Sequence, residues 1–147
     1  MPFRNLVTSL IRFVEGPFIA AIALLGARIA VGLVFWRSGN TKVDQDFALT
    51  DSTFYLFEYE YALPLIPPQF AAYMAAYAEL ALPLLLWVGL GSRFAAAGLL
   101  VMTLVIQTFV YPQSWPEHML WAGLLGVILT KGPGLFAADH LIRKRFM

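Results

Sequence analysis

The sequence predicts an all-α membrane protein, a bundle of four transmembrane helices with an interfacial amphipathic helix at each end. Of its 147 residues, 60% are hydrophobic and only 13% are charged. Soluble domains of this size are usually about half apolar and about a quarter charged, so the excess apolar surface is expected to face lipid. Four apolar segments each have close to the ~20 residues that cross a bilayer core. Lysine and arginine are also distributed unevenly between the two sets of loops, as the positive-inside rule describes.

Clusters of glycine and proline separate the apolar segments, because proline breaks helix interiors and glycine commonly ends a helix. We interpret residues 1–147 as a single membrane domain. Its predicted segments are an interfacial helix (1–16), a first span (18–37), an outer aromatic and acidic loop (38–68), a second span (69–90), a third span (94–111), a fourth span (115–131) and a cytoplasmic amphipathic tail (135–147).

The two terminal segments are amphipathic rather than uniformly apolar. In the first, Leu6, Leu10 and Ile11 recur at helical spacing opposite Arg4 and Arg12. Such a helix is too polar to span and suits the membrane interface. The tail repeats the pattern with a basic run after its apolar residues. Both segments therefore predict contact with the lipid bilayer.

Basic residues indicate the orientation of the chain. Two basic residues, Arg37 and Lys42, fall on the side of the long loop, together with six acidic residues. The positive-inside rule then places both termini in the cytoplasm of a bacterial cell, with the multi-pass protein in the cytoplasmic (inner) membrane. The seven basic residues on the side of the termini are Arg4, Arg12, Arg93, Lys131, Arg143, Lys144 and Arg145.

The long outer loop carries many aromatic residues. Asp51 is the predicted N-cap of a short helix through Phe54 and Phe57, because an aspartate side chain can accept hydrogen bonds from the first amides of a helix. The aromatic side chains predict a lid that lies on the mouth of the bundle.

Charged residues inside spans are costly and mark either a buried pair or a functional site. Arg28 lies about ten residues into the first span, and Glu79 lies about ten residues into the second. Because the two helices are antiparallel, both residues are expected near the middle of the membrane, where they are predicted to form an ion pair. Two interpretations stay open: a structural clasp, or an anchor for a polar or redox-active ligand or a proton. Pro83 favours the second slightly, because it frees the backbone carbonyl of Glu79.

Gln107 and His118 lie in the outer halves of the third and fourth spans, where they are predicted to share a vestibule with Arg37 and Lys42. For Gln107, an interhelical hydrogen bond is favoured over a role in a site. His118 can be a ligand-binding group, a proton carrier or a satisfied hydrogen-bond donor, and these alternatives stay open.

Several classes of function are disfavoured. The chain has no cysteine, which excludes thiolate nucleophiles and cysteine-ligated iron–sulfur clusters. A haem held by both histidines is excluded, since His118 and His140 are separated by most of a membrane span, roughly 30 Å. No motif predicts a metal site or a catalytic residue, and the near-neutral charge predicts no binding of nucleic acid.

The chain resembles the DoxX family of small bacterial four-helix membrane proteins over nearly its whole length. The resemblance depends on the order and spacing of several short motifs rather than on one of them. They are Ala27 to Phe35 followed by Ser38, Gly39 and Lys42; Ala78-Glu79-Leu80; Gly89-Leu90-Gly91-Ser92-Arg93; His118; Gly132-Pro133-Gly134; and Asp139.

The resemblance implies little about a specific activity. Most members have no assigned activity, some are linked to thiosulfate:quinone oxidoreductase or to complexes with redox-defence enzymes, and relatives of this branch tend to be encoded beside machinery for copper-related peptides. The family arginine, glutamate and histidine correspond to Arg28, Glu79 and His118.

These observations together favour an accessory subunit with no catalytic activity of its own, which supports a redox or metal-handling protein partner. The subunit is expected to bind a small hydrophobic ligand, such as a quinone, among polar groups enclosed by Phe35, Trp36 and Trp121. Two alternatives remain. One is an oligomeric transporter or channel component with a midplane Arg–Glu site, in which small residues such as Gly26 and Gly126 support close packing either within one bundle or between copies. The other is a purely structural membrane scaffold.

Overall fold

A computed structural model describes residues 2–146 of the chain, with side chains from residue 4 onward, and this part is helical without any strand. The predicted all-α class is therefore confirmed. Two of the helices end in a π-helical segment. The helices are α1 (Pro2–Val14), α2 (Pro17–Asn40), α3 (Asp51–Tyr55, continued as a π-helix over Leu56–Tyr61), α4 (Pro68–Val88), α5 (Ser92–Val105, continued as a π-helix over Ile106–Val110), α6 (Trp115–Lys131) and α7 (Ala138–Phe146).

Three of these helices are long and apolar enough to cross a membrane. They are α2 with 24 residues, α4 with 21, and α5 with its π-helical continuation, together 19. This agrees with the predicted class of membrane protein. Helix α6 has 17 residues and is equally rich in apolar side chains, and its assignment as a fourth span stays a prediction.

The four long helices pack side by side. Helix α2 contacts α4 and α6, and α5 contacts the same two helices from the other side. Apolar side chains from all four fill the centre, and small residues on α5 let its neighbours approach closely. The buried core consists of Val31, Phe35, Leu86, Ala95, Ala96, Leu99, Leu125 and Ile128.

The connectivity defines two ends of the molecule. We call the end that carries Asn40, Pro68, Val110 and Trp115 the loop end, since α3 and its flanking segments lie there. The opposite end, which carries Pro17, Val88, Ser92 and Lys131, is called the terminal end.

Helices α2 and α4 are displaced along their axes. Gly39 is the penultimate residue of α2, yet it packs against Glu79 in the middle of α4: a Cβ atom on Gly39 would lie 3.0 Å from the Glu79 Cβ. The first half of α4 therefore extends past the end of α2, and α3 packs against this exposed part of α4. The displacement leaves room at the loop end beside the first half of α4.

The terminal end is closed by the segment that precedes and begins α7. The two carboxylate oxygens of Asp139 accept hydrogen bonds from the backbone amides of Gly91 (2.8 Å) and Ser92 (3.0 Å), which caps the start of α5. Arg93 donates from Nε to the backbone carbonyl of Leu129 at 3.0 Å, near the end of α6. A carboxylate and a cation thus each occupy the helix end that their charge favours.

Candidate ligand-binding cavity

A cavity of about 550 Å³ lies at the loop end, between α2, α4, α5 and α6 and beneath the α3 segment. This volume is within the range of roughly 300–1,000 Å³ that is usual for small-molecule sites. Its walls are mainly apolar and aromatic, with a few polar groups among them. The polar and aromatic groups of the lining include Ser38, Lys42, Glu79, His118, Phe35, Phe57, Tyr61, Tyr111 and Trp121.

A buried ion pair forms part of the cavity wall. Lys42 Nζ donates to Glu79 Oε2 at 2.6 Å, and the two side chains are only 6% and 4% exposed. The ammonium group also donates to the hydroxyl of Ser38 at 2.9 Å and to the Ser38 backbone carbonyl at 3.3 Å. Lys42 follows the C-terminus of α2, where the helix dipole favours a cation. The pair is therefore held from both helices.

A glycine in α2 and a proline in α4 shape the surroundings of Glu79. Gly39 has no side chain, and its absence allows the backbone of α4 to approach α2 at the level of Glu79. Pro83, which is buried inside α4, has no N–H and cannot donate to the Glu79 carbonyl one turn earlier. The glutamate thus lies at a closely packed and locally irregular part of the helix.

The predicted ion pair between Arg28 and Glu79 is wrong. Arg28 is fully buried at the terminal end, where it donates to the backbone carbonyls of Leu86 (3.2 Å) and Phe136 (2.5 Å). Because Glu79 packs against Gly39, Arg28 lies about 16 Å away from that level along α2. The physical reason is the axial displacement of α2 and α4, which a count of residues from the span ends does not include.

His118 is oriented by a short chain of hydrogen bonds. Its Nδ1 lies 2.7 Å from Gln107 Oε1, and Gln107 Nε2 donates to the backbone carbonyl of Pro112 at 2.8 Å. A carbonyl oxygen can only accept, so the amide of Gln107 must turn its nitrogen toward Pro112 and its oxygen toward His118. The histidine therefore donates from Nδ1. The interhelical hydrogen bond favoured for Gln107 from the sequence is present.

Aromatic rings surround the polar groups on two sides. Trp121 packs against His118 at 4.9 Å and against Phe35 at 5.6 Å between ring centroids. Across the cavity, Tyr61 makes edge-to-face contacts with Phe57 at 5.0 Å and Tyr111 at 5.9 Å. Such arrangements suit the flat faces of an aromatic ligand.

Both π-helical segments contribute to the lining. The segment after α3 supplies Phe57 and Tyr61, and the segment after α5 supplies Ile106 and Val110. π-Helical turns occur frequently at functional sites. Burial, and secondarily the neighbouring Tyr111 hydroxyl, raises the pKa of Tyr61, so its hydroxyl stays protonated.

The α3 segment is attached to Lys42 through the backbone. The Lys42 carbonyl accepts from the Thr53 hydroxyl at 2.9 Å and from the Thr50 amide at 3.1 Å. Thr50 is also the N-cap of α3, since its side chain accepts from the Thr53 amide. The prediction that Asp51 is the cap is wrong by one residue, because Asp51 already has a helical position and either side chain is suitable as a cap.

Three of the six residues predicted for a site line the cavity, namely Lys42, Glu79 and His118. Gln107 does not line the cavity itself but is hydrogen-bonded to His118, which does. Arg28 lies at the terminal end, and Arg37 is exposed. The sequence reasoning missed Ser38 and Tyr61. Ser38 precedes Lys42 by one helical turn, which places both side chains on one face and was the available signal.

Comparisons with known proteins add one match. A family model described as DoxX matches residues 23–112, which include Arg28, Lys42, Glu79 and Gln107 but end before His118. No curated protein and no solved structure matches the chain. Among the described residues 2–146, no three His, Asp or Glu side chains are grouped as they would be in a metal site.

Proposed function

The chain belongs to the DoxX family of membrane proteins, and from this premise we propose that it is an accessory membrane subunit that binds a small hydrophobic ligand in the loop-end cavity. The ligand class that fits is a substituted aromatic ring with polar oxygens, such as a quinone. The bound ligand would serve a redox or metal-handling partner protein.

The observation that carries the proposal is the combination of a mainly apolar cavity with the buried Lys42–Glu79 pair and His118 in its wall. Ion pairs are costly to desolvate, and hydrophobic residues of similar volume often replace them without loss of stability. Ionisable groups at membrane depth are therefore a functional hypothesis by default. A few polar groups among apolar and aromatic walls are also typical of small-molecule sites.

The rim of the cavity supports entry from the bilayer. Met74 of α4 and Val101 of α5 both line the cavity, and both are more than half exposed on the outside of the helices. In a membrane these side chains would face acyl chains. A hydrophobic ligand would thus reach the cavity by lateral diffusion, without passing through water.

The proposal includes a four-span topology with α6 as the fourth span. Its 17 residues are at the short end of the range of about 17–25 that crosses a bilayer core, and it packs against both α2 and α5. The basic residues of α1 and α7, together with Arg93 at the start of α5 and Lys131 at the end of α6, all lie at the terminal end. By the positive-inside rule, this end faces the cytoplasm.

The proposal also includes assembly into oligomers, and two glycines on the outside of the helices support it. A Cβ atom added to Gly26 or Gly126 would meet nothing within 4 Å, so neither glycine is required for packing inside one chain. Small residues at such positions allow close contact between membrane helices of different chains.

The transporter alternative loses the site on which it depended, since Arg28 and Glu79 do not meet.

The scaffold alternative predicts no saturable binding of a ligand at all. A titration of the purified protein in lipid nanodiscs with decyl-ubiquinone separates the two remaining functions. We expect saturable binding that is lost when the cavity is filled by Ala75→Phe.

The matched control is Ala97→Phe. Ala97 is a half-buried alanine of α5 outside the cavity wall, as Ala75 is a half-buried alanine of α4 within it. Absence of saturable binding to the unmodified protein, or equal binding to both variants, would overturn the proposed function. Mass spectrometry of small molecules extracted from protein purified in its native membrane would identify the ligand.

A further inference from the structure

We infer that the loop-end cavity prefers the reduced, hydroxyl-bearing form of an aromatic ligand, a quinol or a phenol, over the corresponding quinone. The inference rests on the proposed function and deepens it, because it names the oxidation state of the ligand. It follows from the hydrogen-bonding capacity that the protein leaves unused in the cavity wall.

The ammonium group of Lys42 has no hydrogen-bond donor left for a ligand. It has three N–H groups, and three oxygens of the protein lie within range: Glu79 Oε2 at 2.6 Å, Ser38 Oγ at 2.9 Å and the Ser38 carbonyl at 3.3 Å. The carboxylate of Glu79, by contrast, offers about four acceptor positions on its two oxygens. The ion pair therefore presents acceptors to the cavity.

In its neutral form, the imidazole of His118 also presents an acceptor. Gln107 Oε1 accepts the Nδ1–H, because the Gln107 nitrogen is committed to the Pro112 carbonyl. A neutral imidazole has one N–H only, so Nε2 has a lone pair and no proton. The protein thus fixes the tautomer that is suited to receive a hydrogen bond from a ligand.

The remaining polar groups do not reverse this preference. The hydroxyls of Ser38, Tyr61 and Tyr111 can each donate or accept, so they serve either oxidation state. The indole N–H of Trp121 is a donor in the lining. Of the lining side chains with a fixed preference and unused capacity, Glu79, Glu117 and His118 are acceptors and Trp121 is a donor. A quinone has only acceptor oxygens to place against the three acceptors, whereas a quinol donates an O–H to two of them.

The test compares three ligands of one shape in protein reconstituted in lipid nanodiscs. They are duroquinone, duroquinol kept reduced by dithionite, and the dimethyl ether of duroquinol, which is aromatic but has no O–H. An acceptor left unpaired weakens binding by roughly tenfold. We expect duroquinol to bind at least tenfold more tightly than either other ligand. Such a preference raises the midpoint potential of the bound two-electron couple by about 30 mV.

Two variants distinguish an effect of the His118 tautomer on ligand preference from an effect of the shape of the cavity. Gln107→Leu removes the acceptor for Nδ1–H, so His118 becomes free to present a donor and the preference for duroquinol should decrease. Trp121→Phe removes the indole donor but keeps an aromatic wall, and the preference should persist. A loss of preference in Trp121→Phe with no change in Gln107→Leu would contradict the inference.

The tautomer can also be observed without any ligand. The chain has two histidines, so ¹⁵N-histidine NMR of the unmodified protein and of a His140→Gln variant assigns the ring nitrogens of His118. We expect protonated Nδ1 and unprotonated Nε2. The opposite tautomer, or equal binding of duroquinone and duroquinol, overturns the inference while leaving the proposed function standing. If none of the three ligands binds, the proposed function fails, and the inference fails with it.

Discussion

Lys42 and Glu79 show how a single residue pair connects stability with the cavity. Removing both charges from water is costly, and their mutual attraction offsets that cost only while both are present. Ser38 adds two further hydrogen bonds to the ammonium group. The loss of one partner and the loss of both should therefore have very different effects on the protein.

We expect Lys42→Met to lower the free energy of unfolding by about 3 kcal/mol, since it leaves the Glu79 carboxylate buried without a cation. The double variant Lys42→Met/Glu79→Met should be close to neutral in stability, and it should lose the proposed preference for a quinol. Thermal unfolding in detergent measures both effects. Lys131→Met, which changes an exposed lysine at the end of α6, is the control. Equal destabilisation by the single and the double variant would show that the pair is not coupled.

Arg28 has a different role, because its guanidinium joins the carbonyl of Leu86 in α4 to that of Phe136 before α7. We expect Arg28→Lys to fail as a replacement, since one ammonium group on a shorter stem does not reproduce the planar arrangement of donors. The segment 133–146 should then become more accessible to proteases and exchange its amide hydrogens faster. Arg37→Lys, on the exposed surface near the loop end, should change neither measurement. Protection equal to that of the unmodified protein would contradict this role.

The identity of the partner of Glu79 was not predictable from the sequence. Residue counts along each span estimate depth correctly only when the ends of antiparallel helices are level. Here Glu79 lies opposite the last turn of α2, and Lys42 reaches it from beyond the helix end. The interhelical bond of Gln107 was predictable, because a polar side chain within a span must find a partner.

At the scale of elements, the glycines around the α4–α5 connection show how the terminal end is closed. Gly89 has φ +77° and Gly91 has φ +58°, a left-handed conformation that favours glycine at both positions. Their surroundings differ. A Cβ atom on Gly89 would lie 2.7 Å from the Cα of Ala137 and would also collide with the Arg28 guanidinium, whereas one on Gly91 would meet nothing within 4 Å.

The two glycines thus form a matched pair for substitution. We expect Gly91→Ala to cost about 1 kcal/mol of stability, from backbone strain alone. Gly89→Ala should cost about 3 kcal/mol, because steric overlap with Ala137 and Arg28 adds to the same strain. Chemical unfolding in detergent measures both costs. Equal costs would show that the Gly89 contact with the segment before α7 is absent in solution.

The long helices were predictable because their apolar length and their glycine and proline boundaries are local properties of the sequence. Predicted and observed bounds differ by at most three residues for the four apolar helices. The axial displacement of α2 and α4 depends instead on Gly39 and on which side chains interlock. Such information is not contained in hydropathy. The π-helical turns likewise have no simple sequence signal.

At the scale of the whole molecule, the number of spans decides where the termini lie. With four spans, α1 and α7 share one side of the membrane and the long loop lies on the other. The chain has no cysteine, so single cysteines can be introduced without prior changes. In intact cells, a membrane-impermeant maleimide should label Gln45→Cys but neither Thr8→Cys nor Lys144→Cys, and all three should be labelled after lysis. Labelling of Lys144→Cys but not Thr8→Cys in intact cells would indicate three spans.

Lys42 connects the ion pair in the cavity wall to the segment that covers the cavity. Its side chain completes the ion pair in the cavity wall, while its backbone carbonyl holds Thr50 and Thr53 at the start of α3. A displacement of α3 large enough to uncover the cavity from above would pull on the same residue that neutralises Glu79. The covering segment and the buried ion pair are therefore attached to the same residue, so a movement of α3 and the neutralisation of Glu79 are coupled through Lys42.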